Sequence, residues 1–203
     1  MEGVIELTID ASAQLLMDDL TEILKNTKIT KSNKRSKETM LNQKINYEKL
    51  EKLEKENVLK PSEIFGRCID KPCTMIVGTR FNYYKKQYVQ TAHDRDYGTG
   101  LYNKLQELTL HLGKTNNVDI SMNTATINKN FMCSKHKDRN NKSKSVLCGL
   151  GDYTKGETII YDSSDNPHTY NINNKPILFD GKDYYHEVLD FSGNRYSFVS
   201  YVI

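Results

Sequence analysis

The sequence His136-Lys137-Asp138 places an imidazole and a carboxylate two residues apart. In an extended chain, residues i and i+2 point to the same face, so His136 and Asp138 can reach one metal ion. A third ligand has to come from elsewhere. The other histidines of the chain are His93, His111, His168 and His186. Two histidines and a carboxylate on one face leave coordination positions open, which suits non-haem Fe(II). Taken alone, the H-x-D pattern also fits a surface histidine beside a solvated aspartate.

A second group of polar side chains surrounds Arg195, which follows His186 by nine residues and precedes Ser197 by two. On a strand, Arg195 and Ser197 share one face. A guanidinium beside a hydroxyl can hold a carboxylate through two parallel hydrogen bonds. Such an arginine near a metal fits 2-oxoglutarate: the keto-acid end would chelate the metal, and the arginine would bind the distal carboxylate.

Four segments of the chain, in this order, resemble the Fe(II)/2-oxoglutarate dioxygenases. They are HKDRNN, SVLCGLGDYTKGE, FDGKDYYH and GNRYSFVSY. The order H-x-D, then H, then R-x-S is common to that superfamily. The elements D-x-N-N, L-G-D-Y and G-E are most similar to the TET/JBP group, which oxidises methylpyrimidines in nucleic acid. The resemblance covers about residues 75–203.

This resemblance implies a complete cofactor site. His136, Asp138 and His186 would be the iron ligands, and Arg195 would hold the C5 carboxylate of 2-oxoglutarate with help from Ser197. The expected cofactors are therefore Fe(II), 2-oxoglutarate and O2. We expect hydroxylation of an unactivated C–H bond, with succinate and CO2 as the other products. The protein would fix the geometry and exclude water while the cofactors supply the chemistry.

The same resemblance suggests further contacts. Asn128 or Asn130 is expected near the co-substrate, although hydrogen bonding within the loop fits these residues equally well. Asn141 would contact the target base, because an amide both donates and accepts hydrogen bonds; a turn-forming role is the alternative. Arg95 lies in a region that can supply a base-reading arginine.

Basic residues near the H-x-D segment suggest a nucleic-acid partner, with DNA favoured over RNA. Arg139, Lys142 and Lys144 follow Asp138 closely, and residues 25–37 hold a second basic cluster. Four aromatic residues interleave with Lys85 and Lys86 and could stack bases: Phe81, Tyr83, Tyr84 and Tyr88. Solvated charge and aromatic core are the alternatives. A base in duplex DNA would have to be flipped out to reach the metal.

The pattern of apolar residues predicts an α+β, mainly β fold. A helix is expected after Asp10 or Ser12, with Leu16, Leu20, Ile23 and Leu24 on its apolar face, and a second from about 37 to 57. A third would carry Leu101, Leu105, Leu108 and Leu112 and end at Gly113. Short β-like segments, NFMCSKH among them, occupy the rest. The resemblance implies a double-stranded β-helix (jelly-roll) core over 61–203, with a helical region, 1–60, packed on it.

Composition limits the class of protein. The chain has 203 residues, a formal net charge of +3 and 37% hydrophobic residues. No run approaches the ~18 apolar residues of a membrane-spanning helix, so no membrane partner is expected. The segment MEGVIELTID lacks a basic signal-peptide start, and four scattered cysteines do not suggest a disulfide scaffold. We therefore expect an intracellular protein, nuclear or cytoplasmic. The oligomeric state is left open.

The favoured function is hydroxylation of the methyl group of 5-methylcytosine or thymine in nucleic acid. One alternative is the same chemistry on a prolyl or lysyl side chain of a protein. Another is a non-catalytic β-helix that serves as a binding module. Cys68 and Cys73 have no second pair of cysteines to complete a zinc site, and the zinc-binding extension of the animal TET enzymes has no counterpart.

Overall fold

The computed structural model describes residues 1–27, 29, 73–82, 84–91 and 100–203. The predicted second helix, most of the basic cluster, and Arg95 lie outside these residues. The described part contains two helices, α1 (Ala11–Asn26) and α2 (Leu101–Thr115). It contains ten strands: β1 (Ile5–Glu6), β2 (Cys73–Asn82), β3 (Gln87–Gln90), β4 (Thr124–Lys129), β5 (Ser145–Lys155), β6 (Thr158–Tyr161), β7 (Pro167–Tyr170), β8 (Ile177–Phe179), β9 (His186–Val188) and β10 (Phe191–Tyr201).

Helix α1 begins where the sequence predicts. The side chain of Asp10 accepts a hydrogen bond of 2.8 Å from the backbone N–H of Ala13, which satisfies one of the free donors of the first turn. The buried stripe consists of Ala13, Met17, Leu20 and Leu24. Leu16 and Ile23 are half-buried and pack against the same core, so the predicted apolar face is confirmed, and Ala13 and Met17 extend it.

Helix α2 buries all four predicted leucines but does not end at Gly113. It continues to Thr115, and the backbone N–H of Asn116 bonds to the carbonyl of Leu112 over 3.1 Å. Gly113 is instead required for close packing, since a Cβ there would lie 3.0 Å from the carbonyl oxygen of Val118. The glycine marks a close approach of two backbones rather than a left-handed helix end.

The larger sheet is antiparallel and has seven strands in the order β1-β8-β5-β10-β4-β2-β3. Its two longest strands, β5 and β10, pair from Phe191↔Lys155 to Ser200↔Val146. One face packs against both helices through a buried cluster that includes Val146, Cys148 and Phe198. The helices therefore brace the sheet from one side and leave its other face for the second layer.

The smaller sheet has three antiparallel strands in the order β7-β6-β9. A second buried cluster joins Ile160 of β6 to Leu147 of β5 and Phe179 of β8. Because side chains alternate along a strand, Leu147 faces the small sheet while its neighbours Val146 and Cys148 face the helices. This interlayer space, between the two sheets, is where the polar residues discussed below converge.

The described architecture is mainly β with helices packed on it, as predicted. Two details differ from the sequence-based expectation. Segment NFMCSKH forms no named strand; His136 alone makes a bridge, to His186. The N-terminal region also adds a strand to the sheet, because Ile5 of β1 pairs with Leu178 of β8. The division of the chain at residue 60 stays a prediction. No helix among the described residues has the length and apolar character needed to cross a membrane.

Candidate metal centre

His136, Asp138 and His186 converge at one point of the interlayer space. One ligand atom from each lies within 4.8 Å of the other two. The Nε2 atoms of His136 and His186 each lie 3.7 Å from a carboxylate oxygen of Asp138. Donors bonded to one ion at about 2.0–2.2 Å are at most ~4.4 Å apart, so small side-chain rotations would bring all three to bonding distance.

Backbone pairing between two distant segments creates this convergence. His136 and His186 exchange two backbone hydrogen bonds, of 3.0 and 2.9 Å. Directly opposite residues of an antiparallel pair present their side chains on the same face. The backbone N–H of Asp138 then bonds to the carbonyl of Gly181 over 2.7 Å, which fixes the carboxylate beside both rings.

The two imidazoles are oriented for metal binding. Nδ1 of His136 lies 2.7 Å from the carbonyl oxygen of Ser134, and Nδ1 of His186 lies 3.1 Å from that of Tyr184. A carbonyl only accepts, so each Nδ1 carries a proton, which leaves Nε2, on the side of Asp138, as the ring atom that can bind a metal. Two imidazole nitrogens and one carboxylate fit Fe(II), and three protein ligands leave positions for other molecules.

Arg195 is the largest polar side chain in the buried interior and is 1% exposed. Its Nη1 donates to the hydroxyl of Ser197 over 3.3 Å, and its guanidinium lies 5.5 Å and 5.6 Å from the rings of Tyr153 and Phe191. Among the described residues, its Nε and Nη2 have no hydrogen-bond partner. A buried cation with unused donors is costly unless something pairs with it. A ligand carboxylate fits this position.

Two further buried hydroxyls share the interlayer space and were missed by the sequence analysis. The hydroxyls of Tyr153 and Thr158 have no hydrogen-bond partner within the described part of the chain. Thr158 lies on the same face of β6 as the core residue Ile160. Burial raises the pKa of Tyr153 to about 12, and the nearby charge of Arg195 opposes that rise. The hydroxyl of Tyr153 therefore stays protonated and able to donate.

Gly149 makes room for Tyr153. A Cβ at this position would overlap the tyrosine hydroxyl. Both residues belong to the L-G-D-Y region that carries the sequence resemblance, so that motif was a usable signal for Tyr153. Thr158 left no such signal, because an isolated threonine in a short apolar strand is common.

The two candidate asparagines occupy different environments. Asn128 lies on β4 directly opposite Ser197, so its side chain is on the face that carries Arg195. Asn130 is fully buried and its side-chain oxygen accepts from the backbone N–H of Arg195 over 2.8 Å. Its φ of 50° is left-handed, a conformation that asparagine tolerates. Asn130 thus fixes the strand from which Arg195 projects.

The expected substrate contacts are distributed around the turn after Asp138. The amide of Asn141 is buried and donates to the hydroxyl of Ser145 over 3.0 Å. Arg139 and Lys142 are exposed. The Nζ of Lys142 lies 3.3 Å from the hydroxyl of Tyr88. Arg95 lies outside the described residues, and its predicted role stays a prediction.

The remaining described histidines belong to other parts of the surface. His111 bonds to Asp10 over 2.9 Å, and His168 bonds to Asp162 over 3.1 Å. His93 lies outside the described residues. Of the four histidines considered as third ligand, the structure brings His186 to His136 and Asp138.

Comparison with known proteins gives a likeness in structure alone. The sequence matches no protein-family model, and no curated protein is similar to it in sequence. Among solved structures, a prolyl-4-hydroxylase from Pseudomonas putida has 11% identity and a TM-score of 0.50, over 98% of this chain and 91% of that one. A prolyl hydroxylase from Trichoplax adhaerens, in complex with a peptide of hypoxia inducible factor, has 11% identity and a TM-score of 0.51, over 98% and 81%.

A third structure, NgTET1 in complex with 5mC DNA, has 17% identity and a TM-score of 0.46, over 75% of this chain and 66% of that one. This chain thus spans slightly less than two thirds of the length of that protein. The two prolyl hydroxylases confirm, at the level of the fold, the resemblance drawn from the sequence. The chain has the fold of the 2-oxoglutarate–Fe(II) oxygenases.

Proposed function

We propose that this protein is an Fe(II)- and 2-oxoglutarate-dependent dioxygenase that hydroxylates the methyl group of a 5-methylpyrimidine in nucleic acid. The observation that carries the proposal is the presence, in one interlayer space, of the His136–Asp138–His186 cluster and the buried guanidinium of Arg195, whose Nε and Nη2 have no hydrogen-bond partner among the described residues. One group would bind the metal, and the other would bind the co-substrate. In this proposal the two sheets form a jelly-roll core that holds both.

Different residues would bind the metal and the co-substrate. His136, Asp138 and His186 would hold Fe(II) on one side only and leave the opposite side for 2-oxoglutarate and O2. Arg195 would pair with the distal carboxylate, which relieves the cost of its buried and unpaired donors. When bound, Fe(II) and 2-oxoglutarate supply the oxidising power for C–H hydroxylation, and the protein contributes orientation and a dry site.

The buried hydroxyls of Tyr153 and Thr158 both face the interlayer space, and the ring of Tyr153 lies 5.5 Å from the guanidinium of Arg195. We assign them to the same carboxylate. Ser197 already bonds to the guanidinium and would keep it oriented. Asn128, opposite Ser197 on the same face, completes this polar group.

Nucleic acid is the favoured substrate because exposed basic residues follow the metal ligand Asp138 directly. Arg139 and Lys142 stand one and four residues after it, and both are exposed. Polyanion binding needs positive charge of this kind near the pocket. Asn141 would act by holding the turn, since its amide is buried against Ser145. The D-x-N-N and L-G-D-Y resemblance supports the choice of a methylpyrimidine.

The second candidate function is hydroxylation of a prolyl or lysyl side chain in a protein. It is favoured by the fold likeness to two prolyl hydroxylases, which cover almost the whole chain. The non-catalytic binding module is less favoured, because it gives no reason for a buried arginine with two unused donors in the same interlayer space as three candidate metal ligands.

The test is an anaerobic reconstitution with Fe(II) and 2-oxoglutarate, followed by exposure to oxygen and measurement of succinate. Methylated DNA, methylated RNA and a mixed peptide pool are compared as substrates. Succinate stimulated by DNA or RNA, with an oxidised base detected by mass spectrometry, supports the proposal. Stimulation by peptide alone supports the dioxygenase chemistry and contradicts nucleic acid as the substrate class.

A further inference from the structure

The hairpin formed by β2 and β3 is an exposed, aromatic and basic feature that the metal site does not use. Phe81, Tyr84 and Tyr88 are 37%, 100% and 50% exposed. Phe81 and Tyr88 are directly paired across the hairpin, and their rings meet edge to face at 5.3 Å. Large aromatic side chains this exposed, on a hairpin at the edge of the sheet, are typical of surfaces that contact other molecules.

The hairpin is built as a defined shape. The side-chain oxygen of Asn82 accepts hydrogen bonds of 3.0 Å from the backbone N–H groups of Tyr84 and Lys85. Lys86 takes the left-handed conformation, with φ of 48°, that closes the turn. Lys85 and Lys86 are therefore held at the tip, and both are exposed.

A lysine connects this hairpin to the metal centre. The Nζ of Lys142 lies 5.1 Å from the centre of the Tyr88 ring and 3.3 Å from its hydroxyl. Lys142 follows the metal ligand Asp138 by four residues, so their Cα atoms are at most ~14 Å apart. That span corresponds to about four stacked bases of one strand. The hairpin thus stands within reach of a nucleic acid whose target base enters the metal site.

Charge on this surface is of one sign. Residues 79–91 contain Arg80, Lys85 and Lys86, and residues 139–147 contain Arg139, Lys142 and Lys144. Neither segment contains an aspartate or a glutamate. The exposed basic and aromatic residues that the structure describes in these two segments form what we call the hairpin surface: Arg80, Phe81, Tyr84, Lys85, Lys86, Tyr88, Arg139, Lys142 and Lys144. Its composition, cations interleaved with exposed rings, complements a polyanion with stacking bases.

Lysines and tyrosines also lie beside His136 and His186, but there carboxylates balance the positive charge. The Nζ of Lys135 lies 3.5 Å from the Tyr161 ring centre and 2.5 Å from a carboxylate oxygen of Asp165. The hydroxyl of Tyr161 in turn donates to Glu187. Carboxylates at these positions repel phosphate, so the hairpin surface is the better candidate for a nucleic-acid contact.

We propose that the hairpin surface binds the sugar–phosphate backbone and one base of the DNA whose target base enters the metal centre. Lys142, Lys85 and Lys86 contact phosphates, and the face of Tyr88 stacks on a base several nucleotides from the flipped one. This inference deepens the proposed function and rests on it for the identity of the DNA as substrate.

The test uses the full chain and a fluorescein-labelled duplex that contains 5-methylcytosine. Affinity is measured by anisotropy over a series of salt concentrations. Each lost phosphate contact lowers the slope of log K against log salt by ~0.9. We expect K142Q to lower the slope by about 0.9 and the double variant K85Q/K86Q by about 1.8. Y88A should weaken binding roughly fivefold or more, as expected for one stacking contact.

Matched controls separate this role from general charge and from misfolding. Lys175 is exposed and lies outside the hairpin surface, so K175Q should leave both slope and affinity unchanged. Y88F keeps the stacking ring and should bind better than Y88A. Thermal melting of every variant verifies the fold. The lysine variants should melt at the wild-type temperature because their side chains are exposed, and Y88A should lose the stability of its ring contact with Phe81.

The outcomes distinguish the surface from the reaction. If the wild type oxidises the methylated base while all hairpin variants keep the wild-type slope and affinity, the proposed DNA contact of the hairpin surface is wrong and the proposed reaction is supported. If the wild type shows the predicted slopes without oxidising the base, the surface stands and the proposed function fails. Two results would overturn the claim that the hairpin surface binds DNA. One is a lack of duplex binding at low salt, and the other is Lys142-dependent binding of a Glu-rich peptide instead of DNA.

Discussion

Replacement of Arg195 by methionine should weaken 2-oxoglutarate binding without destabilising the empty protein. This combination is unusual, since removal of a fully buried arginine ordinarily damages a fold. It is expected here because Nε and Nη2 of Arg195 have no partner among the described residues. These two donors are available to a ligand, and the side chain does not complete an internal ion pair among the described residues.

The size of both effects follows from the contacts. Two hydrogen bonds to a charged group contribute roughly 1.5–3 kcal/mol each, so their loss should cost at least about 100-fold in 2-oxoglutarate affinity. In the empty protein, the substitution removes the bond to Ser197 and two ring contacts, ~2–3 kcal/mol in all. It also removes two unsatisfied nitrogens, at ~1–3 kcal/mol each. The difference between the two sums runs from a loss of ~1 kcal/mol to a gain of ~4 kcal/mol in stability, so the net change should be close to neutral or stabilising.

The assay combines calorimetric titration of 2-oxoglutarate, in the presence of anaerobic Fe(II), with chemical denaturation of the metal-free protein. Arg195→Lys is the matched control, because it keeps the charge and loses the planar fork. Its affinity should lie between those of the wild type and Arg195→Met. If Arg195→Met lost ~3–5 kcal/mol of stability and kept wild-type affinity for 2-oxoglutarate, the arginine would be structural and the reasoning refuted.

Three further predictions concern other residues. Gly149→Ala should raise the KM for 2-oxoglutarate and destabilise the fold by ~1–3 kcal/mol, because the new methyl group displaces the hydroxyl of Tyr153; Tyr153→Phe should partly restore stability, and strict additivity in this double-mutant cycle would contradict the contact. Asn130→Gly keeps the left-handed backbone but loses a buried bond, so denaturation should show a loss of ~1–3 kcal/mol. The backbone of the first turn of α1, and then His111, lower the pKa of Asp10. The stabilisation from this carboxylate is therefore present above its unfolded pKa of about 3.9 and is lost as the pH falls through the lower folded value. Asp10→Asn should flatten the acid side of the melting profile, and an unchanged profile would contradict the assignment.

Local patterns were sufficient to predict the two described helices and the approach of His136 to Asp138. The leucine spacing of α2 and the H-x-D spacing both describe relations within a few residues, where periodicity fixes which side chains share a face. The order of segments around His186 and Arg195 then supplied the remaining parts of the site by resemblance.

The parts that were missed depend on contacts between distant residues. The pairing of β1 with β8 cannot be read from two short segments, since a two-residue strand has no periodicity. Asn130 was considered as a ligand contact, whereas its side chain bonds to the backbone of a residue 65 positions away. Thr158 becomes notable only because the fold buries its hydroxyl beside the interlayer space without a partner.

The measurement that tests the central claim most directly is the oxygen-dependent conversion of 2-oxoglutarate to succinate by the Fe(II)-loaded chain with methylated DNA, compared between the wild type and Asp138→Ala. Asp138 lies between both histidine rings, at 3.7 Å from each Nε2. We predict succinate and an oxidised base with the wild type and neither with Asp138→Ala, whose fold should be unchanged by circular dichroism. Full turnover by a folded Asp138→Ala would contradict the metal assignment, and no iron-dependent succinate with any substrate would contradict the enzyme.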